Sequence, residues 1–274
     1  MIFHFECDLE CDIFKNVVLV WVVFIFIFGL CIGSFLNVLI YRLPNSLPLT
    51  GRSFCPKCKK KISWYDNIPL VSFILLRGKC RTCHSPISLQ YPLVELTTGV
   101  LTVYSFQYTA TSGENLLNTF YYLLLLYALI VVFVSDLRYQ IVPDQIIYSA
   151  IFLAILFHLR GAPQAQPHLG GALISGFSAA GFFFLLHFLT RRRGMGIGDV
   201  KLAFLMGLVL GFPKIILALY LAFLTGAFVG VILILAKVKR FGEHIPFGPF
   251  LTSATLISLF WGNEILKWFT ARFF

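Results

Sequence analysis

Two aspartates at the ends of long apolar segments are the residues best placed to do chemistry in this sequence. Asp199 follows a glycine-rich turn at 194–198 and begins one apolar run, and Asp136 ends another. An ionisable residue at a membrane boundary is costly to bury without a partner, so its presence indicates a functional site. Glycines also let a second backbone approach closely, as an extended peptide substrate requires.

The chemistry expected of such a pair is acid–base catalysis. Two neighbouring carboxylates cannot both ionise cheaply, so one holds a proton while the other accepts one from water. This division would hydrolyse a peptide bond without a metal or a covalent intermediate. Asp144 competes for the role, but it follows a proline and precedes an apolar run, as a helix cap does. We favour Asp136 as the partner of Asp199. Capping, or pairing with Arg138 and the arginines at 191–193, is the alternative for all three aspartates.

The composition predicts a polytopic membrane protein around these aspartates. Of 274 residues, 58% are hydrophobic and 12% are charged, and the mean hydropathy is +0.85. A soluble protein of this length needs far more charge on its surface. The first apolar run is too long for a cleaved signal peptide. Eight spans are the natural count, at about 17–40, 93–110, 117–135, 145–159, 169–190, 200–212, 215–236 and 249–266.

The distribution of positive charge predicts the topology. The net charge of +10 does not indicate nucleic-acid binding, because the basic residues bracket the apolar runs, as the positive-inside rule expects. With alternating spans and an external N-terminus, most of the 22 lysines and arginines fall on the cytoplasmic side. Asp136 and Asp199 then lie on that same side.

A cysteine-rich insert at about 44–91 is the one sizeable segment outside the predicted spans. Cys55 and Cys58 form one C-x2-C pair, and Cys80 and Cys83 form a second. Four thiolates at this spacing are typical of tetrahedral zinc, and a full set of protein ligands indicates a structural metal. An insert this small needs a stabilising cross-link, such as a metal or a disulfide, in order to fold. Two disulfides are the alternative, disfavoured by the reducing cytoplasm.

Five ordered motifs resemble the type IV prepilin peptidase family, the membrane aspartyl proteases of the G-x-G-D type. One departure is Ser135, where the family commonly has an apolar residue. The motifs lie at 33–38 continuing to 42–44, at the cysteine pairs with 67–69 and 91–95, at Asp136 with 143–144, at 194–202 and at 245–250.

The resemblance implies a bifunctional enzyme. The catalytic aspartates carry over to Asp136 and Asp199. The implied reactions are cleavage of the basic leader of type IV prepilins or pseudopilins at the cytoplasmic face of the bacterial inner membrane, and N-methylation of the new N-terminal residue from S-adenosylmethionine. The residues that bind the methyl donor are not assigned. Glu95, Asn37 and Lys201 are polar positions near the boundary, for which capping and snorkelling are equally good roles.

These observations predict an all-α polytopic protein of about eight transmembrane helices with a small cytoplasmic zinc-ribbon-like insert. The expected divisions are 1–43, 44–91 and 92–274. The bilayer and prepilins or pseudopilins are the expected partners. A transporter or channel with proton-carrying aspartates is the alternative function. It would place its carboxylates near mid-membrane and gives no reason for a zinc site. A scaffold that docks partners through the insert is a third.

Overall fold

The chain is helical nearly throughout. The computed structural model describes residues 3–160, 168–190, 195–238 and 245–273. Within these ranges, β pairing is limited to two isolated antiparallel bridges and a 3-10 turn covers Trp64–Asn67, so the predicted all-α class is confirmed. The helices are α1 (Phe3–Arg42), α2 (Val71–Leu75), α3 (Gln90–Thr111), α4 (Leu116–Tyr139), α5 (Asp144–Leu159), α6 (Leu169–Leu189), α7 (Ile197–Leu210), α8 (Lys214–Leu235) and α9 (Gly248–Phe273).

Each of the eight predicted apolar runs lies in a helix, but only half of these helices have the length and composition of a membrane span. Helices α5 and α7 contain 16 and 14 residues, which is short for a bilayer that needs about 20. Helices α3 and α9 are long enough but more polar. In the described ranges, four candidate spans remain: Val18–Arg42, Leu116–Tyr139, Leu169–Leu189 and Lys214–Leu235.

The chain divides into two compact units. The first comprises Met1–Arg42 and Leu47–Thr119, and the second comprises Leu43–Ser46 and Phe120–Phe274. The four paired cysteines therefore belong to the first unit. All three candidate aspartates belong to the second.

In the first unit, small residues let α1 and α3 pack in close contact. A β-carbon on Gly33 would lie 2.7 Å from the Cα of Glu95, and one on Gly29 would lie 2.8 Å from the Cα of Gly99. Glu95 is buried, and its carboxylate accepts the backbone N–H of Leu70 at 2.9 Å. The motif at 33–38 thus holds a helix pair, and Glu95 anchors the insert to it.

Arg42 shapes the chain that leads into the insert. Its buried guanidinium donates to five consecutive backbone carbonyls of residues 48–52 at 2.8–3.2 Å. Carbonyl dipoles satisfy the N–H groups of the buried cation, which would otherwise be costly to desolvate. The sequence indicated that Arg42 lies on the basic side of the first span and belongs to the first motif, but it did not indicate these contacts.

The second unit is built around α7. This helix packs against α5, α6, α8 and α9, and most of its apolar side chains are buried, which is the pattern of a core helix. Its short length follows from this position, because a helix enclosed by protein need not match the bilayer. The most buried members are Leu202, Ala203, Leu205, Met206 and Leu208.

Gly207 sets the distance between α6 and α7. A β-carbon at this position would lie 2.4 Å from the carbonyl oxygen of Ser175 and 2.5 Å from the Cα of Gly176. Both neighbours are backbone atoms, which cannot rotate away as a side chain does. The contact therefore requires glycine.

We expect Gly207→Ala to destabilise the protein by about 1–3 kcal/mol, because overpacking forces the two backbones apart. Thermal unfolding of the detergent-solubilised protein would show a lower midpoint. Gly181→Ala on α6 is the matched control, since a β-carbon there meets no atom within 4 Å. Equal midpoints for the two variants would contradict the close-contact role of Gly207.

Candidate active site and metal centre

Asp136 and Asp199, the two predicted catalytic residues, come together in the second unit. Asp136 lies in the last turn of α4 and Asp199 in the first turn of α7. Their exposed fractions are only 6% and 9%, and the carboxylates are close enough to interact electrostatically. The structure therefore juxtaposes two buried carboxylates at helix ends.

Asp199 is held by the turn that precedes it. The backbone N–H of Gly196 donates to its Oδ2 at 3.1 Å, and its own N–H donates to the Gly196 carbonyl at 3.2 Å. This reciprocal pair is a helix-capping arrangement, so the capping alternative describes part of what Asp199 does. Capping alone does not require burial beside a second carboxylate, because most caps are satisfied at the surface.

Asp136 is held by a residue more than a hundred positions away. The N–H of Gly248, the first residue of α9, donates to its Oδ2 at 2.9 Å. A β-carbon on Gly248 would lie 2.6 Å from that same oxygen. The sequence indicated the motif at 245–250 but not this contact. A glycine at the start of a helix, with a proline on each side of it in the motif, was the available signal.

The segment between α4 and α5 packs against the turn before α7. A β-carbon on Gly198 would lie 2.9 Å from Cγ2 of Val142, so the absence of a side chain at Gly198 lets Val142 sit beside Asp199. The chain leaves α4 through Gln140, which has a positive φ of 55° and donates its N–H to the Asp136 carbonyl at 2.9 Å.

Asp144 has a different environment from the other two aspartates. Its carboxylate forms an ion pair with Lys201 at 2.7 Å, and its side chain is 58% exposed. Pro143 occupies the N-cap position of α5, and Asp144 follows in the first turn. The suggestion that Asp144 caps α5 was therefore wrong, and the carboxylate bonds to α7 instead.

His187 is a residue near the site that the sequence patterns did not indicate. This buried side chain near the end of α6 forms a hydrogen bond through Nδ1 to the Met195 carbonyl at 2.6 Å. It ties α6 to the turn that carries Gly196 and Asp199. The arginines at 191–193 and Gly194, singled out from the sequence, lie outside the described residues.

The four cysteines of the first unit form one cluster. Their Sγ atoms all lie within 4.8 Å of one another, and those of Cys55 and Cys83 are 3.8 Å apart. A disulfide would bring two sulfurs to about 2.05 Å, and all four cysteines are free thiols. Four sulfurs placed about 2.3 Å from a tetrahedral metal would lie roughly 3.8 Å apart. The cluster therefore has the dimensions of a metal site.

The two C-x2-C segments fold as equivalent turns. In the first, the N–H of Lys59 donates to the Cys55 carbonyl at 2.8 Å. In the second, the N–H of His84 donates to the Cys80 carbonyl at 2.9 Å. Lys59 and His84 both have a positive φ, of 57° and 54°. Each turn thus presents its two thiols from the same backbone shape.

Neighbouring side chains support the cluster. A hydrogen bond from the Ser85 hydroxyl lowers the pKa of the Cys83 thiol to about 6, which favours the thiolate that binds metals. Arg81 forms a bidentate ion pair with Asp66, through Nε at 2.9 Å and Nη2 at 2.6 Å. This pair connects the second turn to the 3-10 segment Trp64–Asn67.

Comparisons with known proteins cover both units. The family models described as the Bacterial Peptidase A24 N-terminal domain and the Type IV leader peptidase family match residues 27–109 and 123–231. No solved structure matches the chain.

Three relatives, each named prepilin leader peptidase/N-methyltransferase, align over nearly their whole length. The protein from Aeromonas hydrophila is 37% identical, and the alignment covers 92% of this chain and 96% of the relative. The Pseudomonas aeruginosa protein is 33% identical, with 87% and 90% covered. The Legionella pneumophila protein is 32% identical, with 89% and 92% covered. On this identity and coverage, the chain belongs to the type IV leader peptidase family.

Proposed function

We propose that this protein is a membrane aspartic endopeptidase that removes the basic leader peptide of type IV prepilins or pseudopilins. It then N-methylates the new N-terminal residue. The observation that carries the proposal is the buried pair of Asp136 and Asp199 at helix ends, in a chain of the type IV leader peptidase family.

The pair supplies what hydrolysis of a peptide bond requires. One carboxylate accepts a proton from water while the oxygen of that water attacks the scissile carbonyl carbon. The protonated partner donates its proton to the developing oxyanion, which gives a tetrahedral diol. The first carboxylate then passes its proton to the leaving nitrogen and the C–N bond breaks, while the diol returns a proton to the partner. The products are a free amine on the mature pilin and a carboxyl group on the leader. The N–H groups of Gly196 and Gly248 each hold one oxygen of a carboxylate, which fixes the geometry before substrate binds.

The location follows from the same features. The four candidate spans and the family relationship make this a multi-pass membrane protein. We propose the bacterial inner membrane, an eight-span topology and an active site that faces the cytoplasm, supported by the bracketing of apolar runs with basic residues. We retain 1–43, 44–91 and 92–274 as the proposed divisions.

Methylation is the second activity. The neutral N-terminal amine attacks the methyl carbon of S-adenosylmethionine, so that a C–N bond forms as the methyl C–S bond breaks. S-adenosylhomocysteine leaves, and the nitrogen then loses a proton. The names of the relatives support this activity. We assign no residue to the methyl donor.

We further propose that the cysteine cluster holds one structural zinc ion through Cys55, Cys58, Cys80 and Cys83. Their sulfur spacing and full complement of four thiols support this assignment. Zinc would fix the two equivalent turns relative to one another.

The transporter alternative is less well supported. A proton path needs carboxylates connected across the membrane, whereas Asp136 and Asp199 lie together at helix ends. Family membership also favours the peptidase.

We expect Asp136→Asn and Asp199→Asn each to lower kcat for prepilin cleavage by at least about 1,000-fold, because neither acid–base role can be filled by an amide. Product mass after incubation with prepilin in detergent would measure cleavage and methylation. Asp144→Asn should retain most of the wild-type kcat. Full activity of Asp136→Asn and Asp199→Asn would contradict the aspartyl mechanism. A large loss of kcat in Asp144→Asn would indicate that Asp144 belongs to the catalytic pair.

Gly248→Ala should lower kcat by about 100-fold without unfolding the protein, since displacing a catalytic group by about 1 Å costs this much. The added methyl group would push Asp136 out of place. Gly230→Ala on α8 provides a control, because its β-carbon makes only an ordinary 3.6 Å contact. Unchanged kcat for Gly248→Ala would show that the Asp136 contact is not needed for catalysis.

Purified protein should contain about one zinc ion per chain by elemental mass spectrometry. Cys83→Ser should lower the zinc content and make residues 44–91 sensitive to limited proteolysis, because the insert loses its stabilising metal. Cys31→Ser should retain zinc, since Cys31 lies in α1 outside the cluster. Equal zinc content in both variants would contradict the assignment.

A further inference from the structure

A cleft opens beside the paired aspartates in the second unit. Its volume is about 330 Å³, at the lower end of the range of ligand sites. Leu43, Pro44 and Ser46 line one part, and residues 141–145 line the other. The cleft adjoins the active site because Val142, in its wall, lies against Gly198, the neighbour of Asp199.

Asp144 gives this cleft a negative charge that is accessible to a substrate. Asp136 and Asp199 are buried, whereas the side chain of Asp144 is 58% exposed. Glu264 is the other exposed carboxylate in the described part of this unit. It lies about 24 Å along α9 from Gly248, and hence far from Asp136, at 1.5 Å of rise per residue.

The net charge of the chain makes a local carboxylate valuable for binding a basic leader. With 22 basic and 12 acidic residues, the protein as a whole repels a basic peptide. A local negative charge would favour binding of a basic leader that reaches the aspartates, and Asp144 is the described residue that can provide one at the surface of this site.

The ion pair of Asp144 with Lys201 can exchange its cation. Ion pairs as exposed as this one contribute little stability, so replacing one ammonium with another costs little. Lys201 also makes a second favourable contact from the same position, because its Nζ lies 5.1 Å from the centre of the Tyr148 ring. A substrate cation could take the place of Lys201 without leaving that lysine unsatisfied.

We propose that Asp144 is a specificity residue that binds a basic side chain of the prepilin leader in this cleft, in exchange for Lys201. The inference rests on the proposed peptidase function and adds a residue that recognises substrate. Asp144 takes no part in bond cleavage. Its contribution therefore falls on KM and depends on the charge of the leader.

The test compares a prepilin with its natural basic leader and the same prepilin with every leader lysine and arginine changed to glutamine. For the basic leader, Asp144→Asn should raise KM by about two- to fivefold and leave kcat within about twofold. For the neutral leader, the same variant should not change KM. An equal rise with both leaders would overturn the proposal, because it would indicate a general structural effect.

Charge reversal and Lys201 provide independent checks. Asp144→Lys should prefer a leader carrying glutamates over the basic one, and the wild type should show the opposite preference. Lys201→Met should lower KM for the basic leader, because it removes the competing cation. If Lys201→Met and Asp144→Asn instead both raise KM for the basic and the neutral leader, the ion pair has only a structural role and the proposal is wrong.

Glu264→Gln is the matched control, because it removes an exposed carboxylate at the far end of α9 and should leave KM unchanged with either leader. If Glu264→Gln and Asp144→Asn change KM equally, the effect comes from the net charge of the protein, and the proposal is overturned. Failure of the peptidase function itself would be seen separately, as absence of cleavage by the wild type or full cleavage by Asp199→Asn.

Discussion

The second unit must keep two carboxylates buried beside one another. Like charges in a poorly hydrated site repel, and each also loses hydration. The structure compensates with the starts of two helices, since Gly196 precedes α7 and Gly248 begins α9, and each donates one N–H to an aspartate. Helix N-termini carry partial positive charge, which favours a nearby anion. At Gly248 the absence of a side chain lets the helix start come within hydrogen-bonding distance, since a β-carbon there would lie 2.6 Å from Oδ2 of Asp136.

The first unit solves a different problem. Its insert buries few apolar side chains, with Cys55 the one buried hydrophobic residue among residues 44–91. Polar contacts therefore hold it in shape: Arg42 organises residues 48–52, Glu95 anchors Leu70, and the four thiols gather two equivalent turns. Arg42 and Glu95 act by hydrogen bonding to backbone groups, which are present in every sequence. The unit therefore depends on a few side chains, whereas the second unit depends on an extended apolar core around α7.

Local patterns predicted much of this architecture. The positions of Asp136 and Asp199 at the ends of apolar runs indicated that they lie at helix ends, and the cysteine spacing predicted the cluster. The number of spans was harder to predict, because hydropathy does not distinguish a helix enclosed by protein, such as α7, from one in contact with lipid. The contacts from Gly248 to Asp136 and from Lys201 to Asp144 join distant segments, and no local pattern indicates which loops converge.

The cysteine cluster also affects the chain entropy of the first unit. Helices α1 and α3 pack together although the whole insert separates them, and a metal cross-link between the two turns would shorten that connecting loop. The gain is small, because halving a loop lowers its closure cost by only about 0.6 kcal/mol. The packing of α1 against α3, including the close contacts of Gly29 with Gly99 and of Gly33 with Glu95, therefore has to hold the helix pair without the metal. Loss of the metal should leave that pair assembled while the insert loses its order.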